Sequence, residues 1–160
     1  MSSDSPLPQV LLGAGLGGFA DGILLHQILQ WHHMLSSTDE HPVSSLGGLE
    51  ANTLADGFFH LATWLAVLIA VTLLVRAWQR GDLAPPWRRH VGLLLVGWGL
   101  FNLIEGTVDH VLLGIHHVRE GQDESAWDLG FLALGVVQLA AGALLARGAA
   151  PGSSGGQETV

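Results

Sequence analysis

The chain has no cysteine, which excludes disulfides, thiolate metal sites and iron-sulfur clusters. It has no lysine either: its six basic residues are all arginines, set against fourteen acidic ones, for a net charge of -8. That balance argues against binding to nucleic acid. Charge of either sign is scarce, at 12% of residues, whereas 49% are hydrophobic and the mean hydropathy is +0.42. This is too apolar for a soluble domain of 160 residues. The N-terminus carries no basic residue and no A-x-A-type cleavage site, so a removable signal peptide is not expected. No Ser-His-Asp arrangement or phosphate loop is visible. Gly13-x-Gly15-x-x-Gly18 has the letters of a dinucleotide fingerprint but lies inside an apolar run with no strand before it. The steps Gly13 to Gly17 and Gly18 to Gly22 read better as small-residue contacts between membrane helices.

What is present is apolar length. Runs from about Pro8 to Leu35, Ala51 to Trp78, Val91 to Val118 and Trp127 to Leu145 each suffice to cross a hydrocarbon core of about 30 Å. They predict an all-α fold, a four-helix transmembrane bundle over residues 8–147. Residues 1–7 and the Gly/Ser-rich tail 148–160 are expected to be disordered. Arg76, Arg80, Arg88 and Arg89 crowd around the connection between the second and third helices, and Arg147 ends the fourth. By the positive-inside rule that end is cytoplasmic, as are both termini. The connections holding Asp39, Glu40, Glu50, Glu120, Asp123 and Glu124 then face the periplasm or exterior. The expected location is a bacterial cytoplasmic (inner) membrane, multi-pass in the lipid bilayer.

Two stretches carry one pattern, [Asp/Glu]-Gly-x3-His-x5-His-His. Asp21, Gly22, His26, His32 and His33 recur 84 positions later as Glu105, Gly106, His110, His116 and His117. Repeat units of about 8–80 and 88–147, each a helix pair, imply a pseudo-twofold axis along the membrane normal. The second and fourth helices match more loosely: Asp56 and Phe59 answer to Asp128 and Phe131, and Leu132 stands where the second helix has His60.

Ionisable groups near mid-bilayer cost roughly 2.5 to 3.5 kcal/mol each, so they persist where they pair, coordinate or line a wet cavity. Asp21, Asp56, Glu105, Asp109 and seven histidines fall within the predicted helices with no cation to balance the acids. A divalent zinc, copper or iron ion supplies that charge, and imidazole with carboxylate suits all three metals. At about 1.5 Å per residue, His26, His60 and His110 share one level. These three are the expected metal ligands, with Asp56 and Asp109 as ligands or orienting carboxylates. Asp21, Glu105, Asn102 and Gln30 are candidates for orienting ligands or relaying protons. His32, His33, His116 and His117 form a shallower ring that would hold any outer metal. The plainer alternative is that these polar groups hydrogen-bond between helices. His41 and His90 read as incidental, and Trp31, Trp98 and Trp127 as packing or interfacial anchors.

The stretches from Phe19 to His33, Asp56 to His60 and Asn102 to Arg119 resemble a family of uncharacterised bacterial integral-membrane proteins, domain of unknown function 2243. The resemblance implies a four-helix membrane protein and supplies no reaction. A looser similarity to membrane desaturases fails on the missing histidines near Gln30 and Leu113. Three functions therefore stand open: a membrane metalloprotein with redox or hydrolytic activity, a b-type haem protein with His26 and His110 as axial ligands, and a copper or zinc handling protein. Whether the protein is an enzyme, its small-molecule or electron-transfer partner, and its assembly into a homo-oligomer are left open by the sequence.

Overall fold

The computed structural model describes residues 5–83, 86–121 and 123–147, in which every regular element is helical. The expectations for the tail 148–160 and for most of residues 1–7 lie outside the described residues. Helix α1 (Leu7–Asp21) passes directly into a π-helical segment, π1 (Gly22–Ile28). Helix α2 (Leu46–Gln79) follows, then α3 (Trp87–Glu105), which passes into π2 (Gly106–Leu112), and finally α4 (Glu124–Arg147). Four candidate spans result: Leu7–Ile28, Leu46–Gln79, Trp87–Leu112 and Glu124–Arg147.

The burial pattern is that of a lipid-facing protein. Ala70 and Val118 are the buried hydrophobic residues among those described, while the largest fully buried side chains are His26, His32, His116, Asn52, Asn102 and Asp56. Leucines, valines and tryptophans cover the outside instead. Lipid tails solvate apolar side chains as well as a core does, so packing and polar contacts, not apolar burial, hold such helices together.

The bundle is closer to a row than a square. Helices α1 and α3 pack against each other at the centre, α2 packs on α1, and α4 packs on α3. The central seam depends on Gly13 and Gly97. A Cβ on Gly13 would collide with the carbonyl oxygen of Leu94, and one on Gly97 with that of Val10. The two contacts correspond, since both residue pairs are 84 positions apart.

The first and third spans end earlier than the apolar runs predict, at Ile28 and Leu112 rather than near Leu35 and Val118. Left-handed residues turn the chain at equivalent points, Gln30 with φ 50° and Gly114 with φ 58°. The amides that follow bond back into the π segments, Trp31 N–H to Leu25 O at 2.9 Å and Ile115 N–H to Asp109 O at 3.1 Å. Beyond these turns the two outer segments fold over the helix ends and bond to each other. Ser37 N–H donates to Ile115 O at 3.0 Å, and Glu120 N–H to Trp31 O at 3.3 Å. On α2, Asn52 anchors the first segment by accepting from Leu35 N–H at 2.8 Å and donating to His41 O at 2.9 Å.

Candidate metal centre

The π segments decide which side chains meet. In an α-helix, residues five apart point about 140° away from each other at 100° per step. A π-helix bonds residue i to i+5 and brings such residues to one face. Asp21 and His26 therefore touch, with Oδ2 and Nε2 3.1 Å apart, and so do Glu105 and His110, with Oε1 and Nε2 2.9 Å apart. The glycine that opens each π segment leaves room for the neighbouring helix: a Cβ on Gly22 would lie 2.7 Å from His60 Nε2, and one on Gly106 3.0 Å from Phe131.

Carboxylates on α2 and α4 then hold the outer side of each histidine group. Asp56 accepts from His33 Nδ1 at 2.7 Å, from the Met34 amide at 3.0 Å and from Gln27 at 3.2 Å, and its Oδ1 lies 3.0 Å from His26 Nδ1. Asp128 accepts from His117 Nδ1 at 2.7 Å and from the Val118 amide at 3.0 Å, and its Oδ1 lies 3.3 Å from His110 Nδ1. His33 and His117, and likewise Met34 and Val118, are counterparts 84 positions apart, so the two clasps match contact for contact.

The early helix ends carry His32 and His116 inward. They are 1% and 0% exposed, not members of a shallow outer ring. Their rings stack, with centroids 4.7 Å apart and planes 12° from parallel. His32 also lies 4.5 Å from the His26 ring, and His116 4.8 Å from that of His110. The cross distances, His26 to His116 and His32 to His110, are 6.0 and 6.2 Å. Four imidazoles thus converge beneath the outer segments.

Their free atoms face one another. His32 donates through Nδ1 to the Val118 carbonyl at 2.8 Å, which leaves its Nε2 unpartnered. With Nδ1 as the donor, Nε2 of His32 is the nitrogen that carries the ring's lone pair. His116 Nδ1 and Glu105 Oε2 are likewise without a hydrogen-bond partner, and the atoms near His26 Nε2 and His110 Nε2 are the carboxylates of their own groups, Asp21 at 3.1 Å and Glu105 at 2.9 Å. Such a concentration of unsatisfied buried atoms is unusual for a folded protein. Asp21, His26 and His32 form one group whose donor atoms all lie within 4.8 Å of one another, and Glu105, His110 and His116 form a second. Each is close enough to hold a metal ion.

This constellation differs from the one that depth and helical phase predict. His26 and His110 are at the centre, but His60 is not: its Nδ1 donates to the Asp56 carbonyl at 2.7 Å and its ring lies beside Phe59 and Phe19. Asp109 is half-buried and lines a lateral cavity with Phe101, Phe59 and Glu105, and it is not a member of either donor group. Asn102 donates to Gln138 at 3.0 Å, and Gln30 is exposed at the chain turn. The α-helical phase of 100° per residue does not hold through Gly22–Ile28 and Gly106–Leu112, which explains the reassignment. Asp21 and Glu105 move from relay positions into the donor groups, and His33 and His117 become partners of the clasping carboxylates. Asp128 is a member of this cluster to which sequence reasoning gave no role. Its signal was the shared Asp-x-x-Phe spacing with Asp56, displaced by 72 positions instead of 84 because the second outer connection is shorter.

Four buried histidines, two partly buried ones and four buried carboxylates meet here without a lysine or arginine among them. Arg119, the basic residue of the outer connections, lies instead over the rings of Trp31 and Trp127 at 5.2 and 5.4 Å. No curated protein and no solved structure matches the chain. The family model described as predicted membrane protein, domain of unknown function 2243, matches residues 8–149, and the chain belongs to that family.

Proposed function

We propose that this protein is a membrane metalloprotein that holds transition-metal ions, zinc, copper or iron, in two adjoining half-sites: Asp21, His26 and His32, and Glu105, His110 and His116. The observation that carries the reading is the convergence of buried ring nitrogens and carboxylate oxygens, all within 4.8 Å of one another in each group and several lacking a well-formed hydrogen bond. Imidazole and carboxylate donors suit these metals. A metal ligand histidine ordinarily donates its other ring N–H to a carboxylate or a backbone carbonyl. Asp56 serves His26 in that way, the Val118 carbonyl serves His32, and Asp128 stands beside the outer nitrogen of His110. These partners fix the tautomer and aim the free nitrogen inward. Glu105 lies against both His110 and His116 and ties the two rings together.

An ion held by such donors supplies Lewis acidity or electron transfer, which agrees with a redox or hydrolytic enzyme. The outer segments keep bulk water from the donors, and the clasps hold the rings rigid. A haem between His26 and His110 is the weaker reading, since His32 and His116 occupy the space beside both rings with centroids 4.5 to 6.2 Å away. The arginine-rich end faces the cytoplasm of a bacterial inner membrane by the positive-inside rule, so the donor groups lie in the outer half of the bilayer.

Elemental analysis of protein purified from its native membrane, read with an absorption spectrum, tests the proposal. Up to two ions per chain are expected, with no Soret band. His32→Ala and His116→Ala should each lower metal affinity at least tenfold, while His41→Ala leaves it unchanged. Absence of stoichiometric metal, before and after incubation with zinc, copper and iron, would overturn it.

A further inference from the structure

Two lateral cavities flank the central seam at corresponding positions, and they have diverged. One, of about 430 Å³, lies beside α1, α3 and Phe59 and reaches Glu105 and Asp109. The other, of about 440 Å³, lies between α1, α3 and α4 and reaches Asp21. At equivalent places the first has Asp109 where the second has Leu25, and Ala14 where the second has Trp98. Trp31 and Trp127 complete the wall of the second cavity, so three indoles surround a single carboxylate. The Asp21 side chain is 4% exposed, and the one polar group close to its Oδ2 is His26 Nε2 at 3.1 Å, which leaves the carboxylate room to accept a further donor.

We infer that the tryptophan-lined cavity binds a lipid-dissolved aromatic alcohol, a phenol or hydroquinone, with its ring among the indoles and its hydroxyl donating to Asp21. The surrounding helix faces carry exposed Leu24 and Leu134, so whatever enters comes from the bilayer. The volume suits a ring with a short chain, within the 300 to 1,000 Å³ or so typical of ligand pockets. Indoles favour a planar partner in offset or edge-to-face contact. An amine would also satisfy tryptophans and a carboxylate, but Arg119 already lies over Trp31 and Trp127 and repels a second cation. A neutral hydroxyl meets the carboxylate without that penalty. As the substrate class of the same centre, the inference rests on the metalloprotein reading, whereas occupancy of the cavity can be tested with or without a bound ion.

The test uses the full chain in lipid nanodiscs and a bromine-substituted 4-octylphenol, whose heavy atom quenches indole fluorescence on contact. Saturable quenching is expected, and the methyl ether of the same probe should quench weakly and without saturation. Gly130 lines this cavity with no atom within 4 Å of a Cβ built on it, so Gly130→Leu fills the space without a clash. That variant should raise the half-saturating probe concentration at least tenfold. Asp21→Asn should do the same, and Asp109→Leu in the opposite cavity should have no effect. Non-saturable quenching, equal binding by the methyl ether, displacement by octyltrimethylammonium or an unchanged Gly130→Leu variant would each overturn the assignment. Metal content measured on the same samples separates the two claims. Metal-free protein that binds the phenol saturably sinks the metalloprotein reading alone, whereas metal-loaded protein that does not bind it sinks the cavity assignment alone.

Discussion

Asp56 and Asp128 hold equivalent histidines at the same 2.7 Å, yet Asp56 does more. It also bonds Gln27 and makes the closer approach to its buried histidine, 3.0 Å at His26 against 3.3 Å at His110. The other half compensates elsewhere, for Glu105 contacts two histidines at 2.9 and 2.8 Å whereas Asp21 contacts His26 at 3.1 Å. One half is thus secured from its flanking helix, the other from its own central helix. Two donor groups of the same type, one with Asp and one with Glu beside two histidines, thus differ in how firmly each side chain is held, which in the proposed centre would give two ions different affinities.

The seam offers the harshest way to break the comparison. Gly13→Leu and Gly97→Leu each drive a side chain into facing backbone, and we expect each to cost about 3 kcal/mol or more, seen as loss of the thermal unfolding transition by circular dichroism in detergent. If one is tolerated and the other is not, the two contacts are not equivalent. A milder probe is the pair of clasps. Asp56→Ala should destabilise by about 2 to 3 kcal/mol and Asp128→Ala by about 1 kcal/mol less, because more buried donors lose their acceptor in the first case. Equal unfolding midpoints for the two variants would erase the asymmetry. The smallest effect belongs to His60→Leu, which gives α2 the residue that α4 has at the matching place. Its metal content should stay within about twofold of wild type, against the tenfold or greater loss typical when a partner of a metal ligand is removed. A large loss would return His60 to the centre.

Much of this was legible in the chain. Apolar run length placed four spans, and the repeated histidines marked where polar atoms gather. Helix ends and side-chain partners were not legible, for one local reason: the mixed apolar and histidine-bearing residues up to Leu35 and Val118 carry no sign that the backbone changes from α to π at Gly22 and Gly106 and stops at Ile28 and Leu112. With α-helical phase carried through, Asp21 turned away from His26 and His32 stood about 9 Å above it at 1.5 Å per residue. The turn at Gln30 carried little signal, since glutamine gives no warning of a left-handed conformation, while its counterpart Gly114 did. Asp128 could be matched to Asp56 across the shift in repeat length, but nothing in the chain placed its carboxylate beside His110 and His117. His60 looked central because its level along the helix was right and its direction was unknown.

The reciprocal fit of Gly13 against Leu94 and of Gly97 against Val10 has a consequence for descent. A contact in which each surface receives what it also presents is isologous, the rule for two copies of one polypeptide around a twofold axis. A solitary hairpin bearing that groove and that ridge would find its complement in its own twin. Joined in one chain, the two sides are free to differ, as the tryptophans on one flank and the extra acid on the other do.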